Sequence, residues 1–556
     1  MSPRRARAVT GVGDGGDCPG RTVIGSIVGM RTRRLPAALA ALSVAAAVAA
    51  CTAPAASAPP GPAASTPPGG PAASALAWQE CGDGVDCATL AVPVDHADPD
   101  GPTLDLALVR HRAEDPERRI GSLLYNPGGP GAPAGDAVRA SGTPGVAPFS
   151  AEVLARFDVV GMDPRGVGGS TGVACLDDAE REELLAVDND PTLPGGAPRD
   201  VLDTRARELA EACAAAVDPA VLPHLATDDV ARDMDLVRVA LGEETISYLG
   251  QSYGTLLGAT YATLFPDRVR QMVLDAPADP LTWQTDPLGA SQQQARAGED
   301  LLDAWFATCR AEGPQVCGFG GDDPEAAFDA LVDRLERDPL PVPATPPIPA
   351  GQLDGATTLL AARTAAFRPE FWPILTAGLL AAEAGDGSVL GRLATALVRD
   401  PDGTPNALGE ANLAVNCLDR AVPADPAAHD ADAAATIAAA PRFGEVSAYL
   451  WLACTHWPAA NPDRFTGPYT GAGAPPALVI GGRVDSQTPY AWAESMASEL
   501  EGAVLLTRDG YGHGSVGVGL ECVEAAVDRA LVDGVLPAPG TTCPGPPATT
   551  APITAG

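Results

Sequence analysis

The sequence predicts an α/β fold with a mostly parallel central sheet, interrupted by a large helical insertion. Three observations carry that expectation. Between residues 104 and 279, short apolar runs alternate with longer segments of helical period, the pattern of strands joined by crossover helices. One run, 246–249, leads into Gly250-Gln251-Ser252-Tyr253-Gly254 and then into a helical segment. A serine in that context is held out on a sharp strand-to-helix turn. From about 280 to 465 the alternation stops and helical pattern dominates, and strand pattern resumes at 477–480 and 503–506.

The amino-terminal region is read as an address. Residues 1–29 precede a complete signal and read as an over-long start. Met30 opens a second start, with Arg31, Arg33 and Arg34 before an apolar, Ala-rich run from 35 to 50. That run is short for a membrane span and has the form of a secretory signal. It ends Val48-Ala49-Ala50-Cys51, which resembles a bacterial lipobox with Cys51 as the lipidated residue. Residues 51–77 are rich in Pro, Ala and Ser and form a tether. The expected location is therefore outside the cytoplasm, either secreted or held at the outer face of a bacterial membrane through the lipid alone.

Composition narrows the function. The chain has 556 residues, 46% of them apolar, enough for a large core. It carries 36 Arg, no Lys and 71 acidic residues, a net charge of −35. Such a surface excludes nucleic acid as the expected partner, because that function needs basic patches. Ten cysteines follow Cys51, an even number behind a signal, so five disulfides are expected. Sequential pairing is the simplest arrangement: 81–87, 175–213, 309–317, 417–454 and 522–543. No cysteine or histidine spacing suits a metal.

In chain order, 90–94 and 104–111 read as early strands and 122–125 as a third, running into Asn126-Pro127-Gly128-Gly129-Pro130-Gly131. Residues 157–162 form another strand, before Asp163-Pro164-Arg165-Gly166. The pattern from 201 to 241 is helical with breaks, and 187–199 is a loop. After the Ser252 turn come a helix over 253–264 and a strand at 272–274. In the insertion, 290–311 and 355–383 are helical, with a Pro-rich break at 339–349. A helix near 516–533 closes the domain, and 537–556 is a Pro-rich tail. The expected organisation is a core of 78–279 and 466–536 with a helical cap of 280–465.

A serine nucleophile needs a base, an orienting acid and an oxyanion hole. Of six histidines, only His513 follows a late strand, between Gly512 and Gly514. Asp485 follows the strand at 477–480, at a strand end where an orienting carboxylate belongs. His456 precedes that Asp and reads as structural. Ser252, Asp485 and His513 therefore stand in the order Ser, acid, His that this fold class uses. Tyr253 N–H, just after the serine, is the first expected oxyanion donor. The second comes from Gly129, or Gly128, because Pro127 and Pro130 have no N–H to give. No metal or organic cofactor is needed for this chemistry.

These residues, with Asp163-Pro164-Arg165-Gly166-Val167-Gly168, Asp485-Ser486-Gln487-Thr488-Pro489, Asn416-Cys417-Leu418-Asp419 and Cys454-Thr455-His456-Trp457-Pro458, resemble the secreted tripeptidyl-aminopeptidase family. Its members are α/β-hydrolase-fold serine peptidases related to prolyl aminopeptidases. The resemblance spans about 78 to 543. It implies release of di- or tripeptidyl units from free amino termini, with selectivity carried by the cap. A substrate ammonium then calls for a carboxylate, and family likeness points to Glu299, then to Asp419. The rivals are an esterase acting on ester or lipid substrates with the same triad, and a silent binding lipoprotein. Oligomeric state is not legible in the sequence.

Overall fold

A computed structural model of the chain describes residues 76–82, 84–141, 148–185 and 198–552. The signal, Cys51, nearly all of the tether and most of the 187–199 loop lie outside the described residues. Twelve strands are formed among those described. In chain order they are β1 (Gln79–Gly82), β2 (Val85–Pro93), β3 (Thr103–His111), β4 (Gly121–Asn126), β5 (Phe157–Met162), β6 (Ile246–Gln251), β7 (Val269–Asp275), β8 (Leu340–Val342), β9 (Gly351–Leu353), β10 (Leu478–Val484), β11 (Val504–Tyr511) and β12 (Thr542–Cys543). Ten of them build one sheet in the order β1-β2-β3-β5-β4-β6-β7-β10-β11-β12. β1, β2, β3 and β5 pair antiparallel; from β5 onward every pairing is parallel.

The pairing follows from residue type. β4 is buried along its whole length, and β6 in all but its last residue, because helices cover both faces of a parallel sheet. β2 and β3 lie toward one edge, and several of their residues stay exposed.

Among the helices, α1 (Thr227–Leu241) and α2 (Tyr253–Leu264) belong to the core, and α3 (Pro287–Glu312), α4 (Gly355–Ala365) and α5 (Leu408–Asp419) to the insertion. α1 stops at Gly242, whose φ of 74° is the left-handed conformation that ends helices. α3 starts on Asp286, whose carboxylate accepts from Gly289 N–H at 3.1 Å, with Pro287 in its first turn.

Between β7 and β10 the chain adds nothing to the main sheet. This insertion has its own core, built on Trp305, Phe306, Phe319, Phe328 and Trp372. It is not wholly helical: β8 and β9 form a small antiparallel ribbon at the Pro-rich break. The expected helix over 355–383 is two helices, because Pro369 lacks an N–H and holds Arg368 extended at φ −148°, ψ 139°. The closing helix starts only at Glu521, after Gly517 and Gly519 turn the chain with φ near 80° and 75°.

The tail also differs from expectation. β12 pairs with β11. Farther on, Thr549 and Thr550 hydroxyls donate to Glu312 at 2.6 and 2.5 Å. The five disulfides form in sequential order, closing separations of 6, 38, 8, 37 and 21 residues. No helix among the described residues is long and apolar enough to cross a membrane.

Candidate active site

The Ser252 turn joins β6 to α2. Ser252 has φ 55° and ψ −125°, a backbone that side chains rarely adopt. Its N–H donates to Asp275 O at 2.9 Å, which anchors the turn to the end of β7. Gly254 is required by close approach: a Cβ there would stand 2.7 Å from Asn126 O.

Asp485 ends up at the tip of β10, 2% exposed. Its Oδ1 accepts from Gln487 N–H at 2.9 Å and Thr488 N–H at 2.8 Å. His513 Nδ1 lies 2.8 Å from Oδ1 and 3.0 Å from Oδ2. Burial works to raise the Asp485 pKa, but the imidazole and the two backbone donors outweigh it and hold the carboxyl below its ordinary range.

The His513 loop is pinned from several sides. His513 N–H donates to Phe367 O at 2.5 Å and Gly512 N–H to Val484 O at 2.9 Å. Phe367 also meets the imidazole edge-on, with ring centres 5.9 Å apart. Buried Arg508 donates to Tyr511 O at 2.8 Å, to Gly512 O and to Ser515 Oγ at 3.2 Å. Asp275 Oδ2 accepts from Ser515 N–H at 2.8 Å, Val516 N–H at 2.9 Å and Gln251 Nε2 at 2.9 Å. One carboxylate thus holds the residue before Ser252 and the loop after His513 together. Sequence reasoning missed both Asp275 and Arg508.

The Gly128-Gly129 loop abuts the same turn. A Cβ on Gly128 would lie 2.9 Å from Ser252 Cβ and 3.2 Å from Tyr253 N. Gly128 N–H is engaged by Asn126 Oδ1 at 2.9 Å, which leaves the Gly129 N–H. Tyr253 opens α2, where a backbone N–H has no partner within the helix.

Residues 121–312 match the alpha/beta hydrolase fold model and residues 440–543 the TAP-like protein model. The chain is 33% identical over 473 residues to the serine protease Hip1 of Mycobacterium tuberculosis, covering 83% of this chain and 87% of that one. It is 31% identical over 487 residues to a tripeptidyl aminopeptidase of Streptomyces lividans, covering 85% and 87%. Carboxylesterase B of Mycobacterium tuberculosis is 35% identical over 475 residues, covering 82% and 86%. The chain belongs to the TAP-like family of α/β-hydrolase serine hydrolases.

In this TAP-like hydrolase the two acids expected to meet a substrate ammonium are engaged elsewhere. Glu299 accepts from Arg442 Nη1 at 2.8 Å and from the N–H groups of Arg442 and Phe443 at 3.2 Å each. Asp419 accepts from Thr227 N–H at 2.9 Å and Thr227 Oγ1 at 2.5 Å, and Thr227 Oγ1 also meets the Tyr253 hydroxyl. Burial pushes the Asp419 carboxyl up to about 7. The neighbouring Arg420 guanidinium lies between the Trp283 and Trp451 rings, 3.7 and 4.1 Å from their centres, and burial pulls it down to about 9. His456 bonds Asp203 at 2.9 Å, outside the Ser252 assembly.

Proposed function

We propose that Ser252 is the nucleophile, His513 the base, Asp485 its orienting acid, and the Tyr253 and Gly129 N–H groups the oxyanion hole of an exopeptidase acting on free amino termini. His513 Nε2 takes the Ser252 hydroxyl proton as Oγ bonds to the scissile carbonyl carbon. The oxyanion is held by the two N–H groups. His513 returns the proton to the leaving amine as the C–N bond breaks. Water, deprotonated by the same nitrogen, then attacks the acyl carbon, the C–Oγ bond breaks, and the proton goes back to Ser252.

The observation that carries this reading is the Asp485–His513 pair at 2.8 Å, whose loop shares the Asp275 clamp with the Ser252 turn. Relatives named tripeptidyl aminopeptidase and serine protease support peptide over ester as substrate. The test is digestion of a free-amine peptide library with mass-spectrometric readout, against acetylated copies. Release of short amino-terminal peptides only from free amines is the expected result; preference for simple esters over both would favour the esterase reading, which the carboxylesterase relative keeps open. Ser252→Ala should lower turnover on the order of 10⁴-fold or more and abolish fluorophosphonate labelling, while the fold survives.

On this reading, 280–465 acts as the cap that decides which carbonyl the serine meets. The enzyme works outside the cytoplasm with Cys51 as its lipid anchor, a placement that five disulfides support. Cys51→Ser should then move it from the membrane fraction to the medium.

A further inference from the structure

One buried acid takes no part in the proposed mechanism and yet reaches its residues. Asp419, at the end of α5, is 1% exposed. Both of its oxygens meet Thr227: the N–H donates to Oδ1 at 2.9 Å, and Oγ1 donates to Oδ2 at 2.5 Å. Thr227 Oγ1 also meets the Tyr253 hydroxyl. Thr227 and Tyr253 are themselves 1% and 3% exposed. Among the described residues, neither the Asp419 carboxylate nor the Tyr253 hydroxyl has another hydrogen bond. Tyr253 follows Ser252 directly, and its N–H is one of the two donors of the proposed oxyanion hole.

The direction of this chain follows from counting protons. Thr227 and Tyr253 bring one hydroxyl proton each. With Asp419 ionised, Thr227 O–H donates to the carboxylate and Thr227 Oγ1 accepts from Tyr253 O–H, so every group is satisfied. A protonated Asp419 adds a third hydroxyl proton. Its O–H donates to Thr227 Oγ1, Thr227 turns its own proton to the Tyr253 oxygen, and Tyr253 O–H is left without an acceptor. A buried donor with no partner is costly, so the Tyr253 side chain must shift, and its backbone N–H shifts with it.

The groups around Asp419 leave it as the one that changes charge. Burial pushes its carboxyl up, the two Thr227 donors pull it down, Asp228 pushes it up and Arg420 pulls it down, to about 7. Asp228 is paired with Arg232 at 2.7 Å. Arg420 acts through space: its guanidinium is stacked between Trp283 and Trp451, and its side-chain nitrogens have no hydrogen-bond partner among the described residues. The Tyr253 and Tyr469 phenols are pushed upward by burial and keep their protons.

We propose that Asp419 is a positioning residue for the oxyanion hole: its ionised carboxylate, acting through Thr227 and Tyr253, holds the Tyr253 N–H in place, and its protonation loosens that hold. This rests on the reading of Ser252, Tyr253 and His513 given above, and it adds to turnover a proton switch separate from His513.

The test is the pH profile of kcat and KM between about pH 5 and 9, on a free-amine tripeptide amide and on an aryl ester. In the wild type, kcat should fall on the acid side more steeply than one proton allows, because His513 must be neutral and Asp419 ionised. Asp419→Asn turns an NH₂ toward Thr227 Oγ1, as the protonated acid turns its O–H. Its kcat should lie about tenfold below wild type near pH 8.5 with KM within about twofold, less than the loss of a donor itself. Near pH 5.5 the two should agree within about twofold, so that the variant keeps a single-proton acid limb. A merely structural loss would give the same ratio at every pH. Tyr253→Phe removes the hydroxyl that the extra proton strands. Its acid limb should also be that of one proton, and adding Asp419→Asn to it should change kcat by no more than about twofold. A ratio of wild type to Asp419→Asn that does not vary with pH, effects of the two substitutions that multiply, or a change in KM alone overturns the proposal. If Asp419→Asn does not fold, the Tyr253→Phe profile decides, and a steep acid limb retained there overturns it. The pH signature on the ester with no peptide cleaved would instead overturn the peptidase reading and leave Asp419 its role. The final extent of fluorophosphonate labelling shows that the fold and Ser252 are intact in each variant.

Discussion

Ser252 holds a backbone conformation that costs about 1–3 kcal/mol in isolation, so its neighbours must over-determine it. Asp275 is central to that. Its carbonyl takes Ser252 N–H, and its carboxylate takes Gln251 Nε2, Ser515 N–H and Val516 N–H. Asp275→Ala removes the oxygen on which three donors converge, so the His513 loop must shift. We expect kcat/KM to fall about 100-fold, the effect of a misplacement near 1 Å, with Ser252 still present and the protein folded by circular dichroism. Unchanged kinetics would remove Asp275 from the positioning role. Ser252, Asp485 and His513 stand out in the sequence as candidates because each carries local punctuation: a Gly-x-Ser-x-Gly turn, a strand end, flanking glycines. Asp275 carries none. It is an acid at the end of a strand, and its partners lie 240 residues away in Ser515 and Val516.

At the scale of one element, α5 ties the insertion to the proposed oxyanion region from both of its ends. Asn412 Nδ2 donates to Pro130 O at 3.1 Å, and Asn416 Nδ2 steadies Asn412 through its carbonyl and Oδ1 at 2.9 Å each. Ala411 packs so close that a Cβ on Gly131 would stand 3.0 Å from its methyl. At the far end, Asp419 holds Thr227, which meets Tyr253. The helix thus bears on both loops that offer N–H donors. Asn412→Ala should lower kcat about tenfold with KM within about twofold, less than the loss of a donor itself. A KM effect alone would instead make Asn412 a substrate contact. The sequence showed α5 only as part of a resembling motif. It could not show that Asp419 faces Thr227, because an acid at a helix end reads the same whether it faces substrate or another helix. The expected helix over 355–383 failed for a related reason. Its apolar period runs across Pro369, and the break that sets Phe367 on His513 comes from one pyrrolidine ring.

For the whole molecule, the mostly parallel sheet and the disulfides were the legible part, because strands announce themselves by apolar runs and the cysteine pairs are close in sequence. The Cys175–Cys213 link closes a separation of 38 residues, a constraint on the unfolded chain worth about 4 kcal/mol in the loop-entropy account. The packing of the tail was not legible, since Thr549 and Thr550 find Glu312 more than 230 residues away. Acidity also shapes stability in a way composition does not reveal. Burial pushes Asp419 up to about 7; burial and the nearby Asp279 push Glu499 up to about 7 as well. Both folded values lie above the unfolded ones, 3.8 and 4.5. The native state therefore keeps protons that the unfolded chain releases. Stability from these two groups is fully present below about pH 4 and is lost as pH rises through about 7. Asp485 works the other way: its lowered pKa stabilises the fold above its unfolded value and is lost as pH falls through the folded one. Urea unfolding from pH 4 to 8 should give its highest midpoint on the acid side of neutrality and decline toward pH 8. Glu499→Gln should flatten that decline, because the amide keeps the Ser495 contact and cannot ionise beside Asp279. If the decline is as steep in the variant as in the wild type, Glu499 does not set it, and self-repulsion among the remaining carboxylates does.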